Sequence, residues 1–183
     1  FMPLWGGFVL RGYGKLGYGN DLPFYKNFYA GGYGSVRGYD NSSLGPKYPS
    51  VSFQETAQTD QDQEEVGGNA LVQFGTELAL PLPFKGDWAR QVRPVLFAEG
   101  AQVFDTKCDV PSGNTLVNSS NVDIKQYCKD NYNFNFDNMR YSVGVGFTWI
   151  TMIGPLSLSY AFPLNDKKGD DTKSIQFEIG RTF

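Results

Sequence analysis

Six stretches of this 183-residue chain alternate apolar and polar side chains with a period of two. Period two is the mark of strands, because successive side chains of an extended chain point to opposite faces. The clearest stretch is Met139 to Ile150. Here Met139, Tyr141, Val143, Val145, Phe147 and Trp149 alternate with Arg140, Ser142, Gly144, Gly146 and Thr148. Asn69 to Leu80 places Ala70, Val72, Phe74, Thr76, Leu78 and Leu80 on one face, and Asn69, Gln73, Gly75 and Glu77 on the other. Phe8 to Gly19 sets Phe8, Leu10, Leu16 and Tyr18 against Arg11 and Lys15. Gln91 to Phe104 alternates more weakly, with Arg93 and Glu99 on one face. Leu156 to Phe162 sets Leu156, Leu158, Tyr160 and Phe162 against Ser157, Ser159 and Ala161. The last stretch, Lys173 to Phe183, sets Ile175, Phe177 and Ile179 against Gln176, Glu178 and Gly180.

Alternation alone also fits a soluble sandwich. Three details favour a bilayer. Most stretches run about 10 to 12 residues, near the roughly 9 to 11 that a tilted strand needs to span the hydrocarbon. Several polar faces are small and glycine-rich, as a lumen allows, and the chain's 22 glycines, 15 phenylalanines and 11 tyrosines fit that pattern. Tyr18, Trp149, Tyr160 and Phe183 sit near stretch ends, where interfacial girdles fall. A helical membrane protein is excluded, because no run approaches the roughly 20 consecutive apolar residues that a helix needs. Even Leu78 to Phe84 is broken by Pro81 and Pro83.

The connections alternate in length. Pro81 to Arg90 and Met152-Ile153-Gly154-Pro155 are short; Asn20 to Gly68 and Asp105 to Asn138 are long and polar; Asn165 to Thr172 is intermediate. Short periplasmic turns and long extracellular loops are the barrel rule. The expectation is one domain over residues 1–183, an all-β, antiparallel transmembrane barrel portion with extracellular loops near 20–68 and 105–138. Six strands are too few for a bacterial barrel, which starts at about eight, and unpaired edges in lipid are costly. The chain therefore reads as the last six strands of a larger barrel, with Phe1 to Leu4 as the stub of a preceding strand. No basic region followed by an apolar core marks a signal peptide. Such a protein must be exported, so an excerpt or processed form is expected.

The net charge of −3 gives no footing for nucleic-acid binding. The chain has no histidine. That removes the commonest general base and metal ligand and every Ser-His-Asp or Cys-His arrangement. Cys108 and Cys128 lie in one polar stretch, with too few neighbouring ligands for zinc. A disulfide is the simpler reading, and free thiols are the alternative. A bond would imply an oxidising compartment and contribute on the order of 3 kcal/mol by loop closure. Gly12-Tyr13-Gly14 and Gly31-Gly32-Tyr33-Gly34 are not phosphate loops, since no strand-to-helix context follows.

The first long loop carries Phe24-Tyr25-Lys26-Asn27-Phe28-Tyr29-Ala30-Gly31-Gly32, then Val36-Arg37-Gly38-Tyr39, then Leu44-Gly45-Pro46-Lys47. Gly67-Gly68-Asn69, Ile153-Gly154-Pro155-Leu156 and the closing Ile179-Gly180-Arg181-Thr182-Phe183 follow in order. Over essentially the whole chain this order resembles the BamA family of outer-membrane β-barrel insertases, whose hallmark is Val-Arg-Gly-Phe/Tyr. The resemblance implies a barrel of about sixteen strands, an even number as bacterial barrels have. It also implies that the motif loop folds into the lumen, with Arg37 held by Glu77 and Glu99. From the residues alone, a solvated loop arginine and two wet lumenal acids would be the simpler reading. Yet Arg offers a fork of donors suited to carboxylates, and two lumenal acids without a cation would repel each other. One departure is that both cysteines lie in the loop after the motif loop. This leaves the clasp unaffected and makes the disulfide a local matter. Asn41-Ser42-Ser43 and Asn118-Ser119-Ser120 fit a glycosylation sequon, but in a bacterial barrel they read as polar loop.

In that family the last strand meets the first at a lateral seam. Ile175, Phe177, Ile179 and Phe183 would form its lipid-facing stripe, and Gly180 a kink that weakens the closure, since glycine permits bends in strands. The terminal aromatic also resembles the signal by which barrels are delivered for insertion. The resemblance implies a non-enzymatic assembly factor in the bacterial outer membrane, with no cofactor or metal. Its implied partners are nascent outer-membrane barrel proteins, accessory lipoproteins, periplasmic docking domains upstream and outer-membrane lipid. A two-partner-secretion transporter shares the arginine motif and is the alternative; upstream repeats and a plug helix would discriminate. An outer-membrane lipase is disfavoured by the missing histidine, and a diffusion porin by a lumen-filling loop.

Overall fold

The computed structural model describes residues 1–48, 64–82, 86, 91–107, 132–152, 154–167 and 169–180. In chain order the strands are β1 (Met2–Pro3), β2 (Val9–Tyr18), β3 (Gly38–Tyr39), β4 (Lys47–Tyr48), β5 (Glu64–Glu65), β6 (Ala70–Ala79), β7 (Val92–Phe104), β8 (Arg140–Thr151), β9 (Gly154–Pro163), β10 (Thr172–Lys173) and β11 (Ile175–Ile179). Seven of them form one sheet in the order β1-β2-β6-β7-β8-β9-β11. Each pair is antiparallel. The six alternating stretches are thus six strands of one sheet, and the stub at Phe1 to Leu4 contributes β1. Two small ladders, β3 with β10 and β4 with β5, lie outside it.

Burial is inverted relative to a soluble sheet. The outward face carries exposed apolar side chains: Leu16 is 82% exposed, Phe177 61%, and Val145, Phe147, Trp149 and Ile175 join them. The buried face carries Gln73, Glu99, Ser142, Ser157, Ser159 and Gln176. An apolar exterior around a polar interior is what a bilayer selects, because lipid meets the outside and the backbone is already paired within the ladder. Among the described residues no helix is long and apolar enough to cross a membrane; the spanning elements are strands.

The packed core lies inside the curve of the sheet. Ala30, Val36, Tyr39 and Leu44 of the first long loop pack on Leu71 of β6 and on Ala101 and Val103 of β7, with Phe28 against them. The loop therefore turns back onto the inner face. Backbone bridges Phe28 to Gly68 and Ala30 to Leu44 fix its path, and they pair backbone groups that burial would otherwise leave unsatisfied.

Two sequence expectations are corrected. Met139 opens the apolar side of the Met139–Ile150 alternation, yet it is fully buried while Val143, Val145, Phe147 and Trp149 of that side are exposed. The strand begins only at Arg140, and a 3₁₀ turn over Phe136–Asn138 directs Met139 inward, with its amide donating to Phe136 O at 3.2 Å. The last stretch does not run as one strand from Lys173. Thr172 and Lys173 are diverted to pair with Tyr39 and Gly38 of the loop, and only Ile175–Ile179 lie against β9.

Candidate functional site

The site is built where the loop meets the inner faces of β2, β6 and β7. Antiparallel register puts Arg11 opposite Glu77 and Gly75 opposite Glu99, so both acids face the interior on neighbouring strands. Arg37 arrives from the loop. Its amide donates to Glu99 Oε2 at 2.8 Å and its Nε to Glu99 Oε1 at 2.9 Å. Its Nη2 donates to Glu77 Oε1 at 2.6 Å and also to Glu99 Oε1. The side chains of Arg37 and Glu99 are 2% and 1% exposed. Charge-assisted hydrogen bonds of this kind are roughly twice as strong as neutral ones. The guanidinium also stacks on Phe97, its carbon 3.6 Å from the ring centroid. A cation over an aromatic face is attracted by the ring quadrupole, more so when desolvated.

Each motif residue has a physical task. Val36 is fully buried in the loop's apolar contact with the sheet. Gly38 takes φ +97°, and a Cβ there would meet the Ala161 methyl of β9 at 3.2 Å. Only glycine adopts that backbone without strain while lying so close to the sheet. Gly144 allows a matching approach from the other side, since a Cβ on it would collide with the Phe97 ring that carries Arg37. Tyr39 is fully buried, and its hydroxyl donates to Tyr141 O at 3.4 Å. Burial, reinforced by the charge of Asp170, pushes its ionisation up to about 12. It is therefore a neutral donor at any physiological pH.

The loop is also tied to β11. Gln176 Nε2 donates to Tyr39 O at 2.6 Å, β3 pairs with β10, and Asp40 N donates to Asp171 O at 2.8 Å. Nearby, Arg140 of β8 forms an ion pair with Asp170. The loop thus spans the interior from β6 and β7 to β11.

Of the residues singled out in the sequence, Val36, Arg37, Gly38, Tyr39, Glu77 and Glu99 come together here. Ile175, Phe177 and Ile179 lie apart on the outward face of β11, each more than half exposed. Gly180 follows β11 with φ +83°, and its amide donates to Pro155 O at 2.9 Å. Phe183, Cys108 and Cys128 lie outside the described residues. The sequence reading missed Tyr13, whose hydroxyl donates to Glu99 Oε1 at 3.0 Å, and gave Phe97 and Gln176 no role. Their only signal was alternation: an aromatic at Tyr13 and at Phe97, and an amide at Gln176, on faces that otherwise read as lumenal.

A transmembrane antiparallel sheet whose interior is filled by its own loop, pinned through one arginine to two strand carboxylates, defines a class of outer-membrane barrel protein. Residues 2–183 match the Omp85 superfamily domain, and the chain belongs to that superfamily. It is 36% identical over 178 residues to the outer membrane protein assembly factor BamA of Neisseria meningitidis serogroup B, covering 96% of this chain and 20% of that protein. It is 24% identical over 159 residues to BamA of Nitratidesulfovibrio vulgaris, covering 87% of this chain and 15% of that protein. The crystal structure of BamA from Haemophilus ducreyi lacking POTRA domains 1–3 matches with a TM-score of 0.67 at 31% identity, covering 93% of this chain and 30% of that one. The chain thus spans about a fifth or less of the length of these curated relatives.

Proposed function

We propose that this chain is the C-terminal part of the barrel of a bacterial outer-membrane protein assembly factor. The whole protein folds and inserts β-barrel proteins through a lateral seam bordered by β11. The observation that carries the reading is the loop that occupies the interior while bridging the central strands to β11 through Arg37 and Gln176. An interior filled in this way is ill suited to bulk diffusion. Among the described residues β11 runs for five residues and is followed by Gly180 at φ +83°, a bend that would weaken pairing along its free side. Client strands would pair with the opened edge, since unpaired backbone groups in hydrocarbon cost several kcal/mol each. The driving force is strand pairing and burial of apolar surface, so no catalytic residue, cofactor or metal is required. The partners in this reading are nascent outer-membrane barrel proteins, accessory lipoproteins and outer-membrane lipid. The related transporter reading is disfavoured because the relatives that match over most of the chain are named as assembly factors.

The test is made in the full-length protein. A disulfide between β11 and the barrel's first strand should stop insertion of a client barrel into outer-membrane-like vesicles while heat-modifiable gel mobility stays normal. Reduction should restore insertion. Undiminished insertion by a quantitatively cross-linked protein rules the seam mechanism out.

A further inference from the structure

The clasp holds a second arginine that the motif does not include. Arg11 of β2 places Nη1 3.3 Å from Glu77 Oε2, while Arg37 takes the other oxygen of the same carboxylate, Oε1, at 2.6 Å. Glu77 therefore bridges two guanidinium groups, one on each oxygen. The contacts close into a ring. Arg37 binds Glu99; Glu99 accepts from Tyr13 at 3.0 Å; the Tyr13 ring lies 5.5 Å from the Arg11 guanidinium; Arg11 returns to Glu77. Two cations and two anions make the group neutral.

The two arginines are held differently. Arg37 comes from a loop. Arg11 stands directly opposite Glu77 in the β2–β6 ladder, so the sheet's own hydrogen bonds fix its place whether or not the loop is seated. It is also the wettest of the four charged members, at 27% side-chain exposure against 11% for Glu77, 2% for Arg37 and 1% for Glu99. A buried carboxylate that loses its only cation carries a large penalty. With Arg11 in the ladder, loss of Arg37 leaves the acids with one counter-ion instead of none.

We propose that Arg11 is the resident counter-ion of the clasp: a positioning residue that holds Glu77 for Arg37 and keeps it neutralised when Arg37 is absent. The inference rests on the clasp described above and not on client insertion. Its test reads stability alone, so the two can fail separately. Coulomb's law fixes the sign. Two cations serving the same acids repel each other, so removing both costs more than the sum of removing each.

The test is a mutant cycle in the full-length protein, read as the temperature at which heat-modifiable gel mobility is lost. Arg11→Gln and Arg37→Gln should each lower it by a few degrees, and the double variant by clearly more than the sum. Adding Glu77→Gln to the double variant should recover most of that loss, because one orphaned charge disappears. Arg11→Lys should stay near the wild type, since a cation remains opposite Glu77. Additive losses overturn the proposal, as does a double variant that Glu77→Gln does not rescue. If the double variant fails to assemble, the triple variant decides: restored assembly supports the proposal, and continued failure overturns it.

Discussion

Arg37 concentrates the energetics of the loop in one side chain. It is 2% exposed, and one of its two acids is equally dry. Arg37→Ala should therefore destabilise the seated loop by about 3 to 5 kcal/mol, the cost of leaving the buried Glu99 carboxylate without its guanidinium even with Arg11 beside Glu77, rather than the 1 kcal/mol or less of a wet surface pair. Protease cleavage within residues 24–48 of the full-length protein, in detergent, measures it; cleavage as slow as in the wild type contradicts it. Arg37→Lys should recover only part of the loss, because a lysine cannot reach two carboxylates and stack on Phe97 at once. Arg37, Glu77 and Glu99 were legible through the family resemblance of the motif loop, since the residues alone read more simply as a wet arginine and two wet lumenal acids. Tyr13 and Phe97 were not. An aromatic facing inward carries no unmet charge, and its value here depends on where a distant loop places a guanidinium.

At the scale of elements, alternation marked all six strands because lipid on one side and a lumen on the other impose opposite demands on successive residues. Where one side ceased to be lipid or lumen, it misled. Met139 alternates in step with β8 yet is fully buried, and Lys173 alternates in step with β11 yet belongs to the ladder with β3. Lys173 pairs with Gly38, far away in sequence, so no local pattern could reveal it, whereas Met139 is redirected by the 3₁₀ turn just before it. The strap from Gln176 to Tyr39 O is a side-chain link between the loop and β11. Gln176→Leu should cost about 1 kcal/mol, the net worth of a typical hydrogen bond, and the loss should be local. Amide hydrogen exchange in β11 should speed up while that in β6 and β7 is unchanged. Equal acceleration in all three strands would show that Gln176 supports the sheet as a whole and not this strap.

The whole molecule is organised around an inverted distribution of polarity, and its outer face makes a sharp prediction. Phe177 lies in the middle of β11 and faces outward. Phe177→Arg should cost roughly 2 to 4 kcal/mol if this position is at mid-bilayer depth, and less near an interface. It should lower the fraction of full-length protein recovered in folded, heat-modifiable form from outer membranes. No change in that fraction would place β11 out of contact with lipid.

The long reach of the loop also orders events in time. Arg37 bonds to an acid 62 residues further along the chain, and Tyr39 is reached by a side chain 137 residues further on. Contacts of such separation form slowly, since the intervening chain must first be confined. A chain emerging N-terminus first displays the loop well before β7 and β11 exist to receive it. Until then the loop has only Glu77 of β6 to grip. Seating the arginine on β7 and strapping the loop to β11 are therefore successive late steps, and a chain stalled short of Gln176 would have its arginine in place with the strap to β11 still missing.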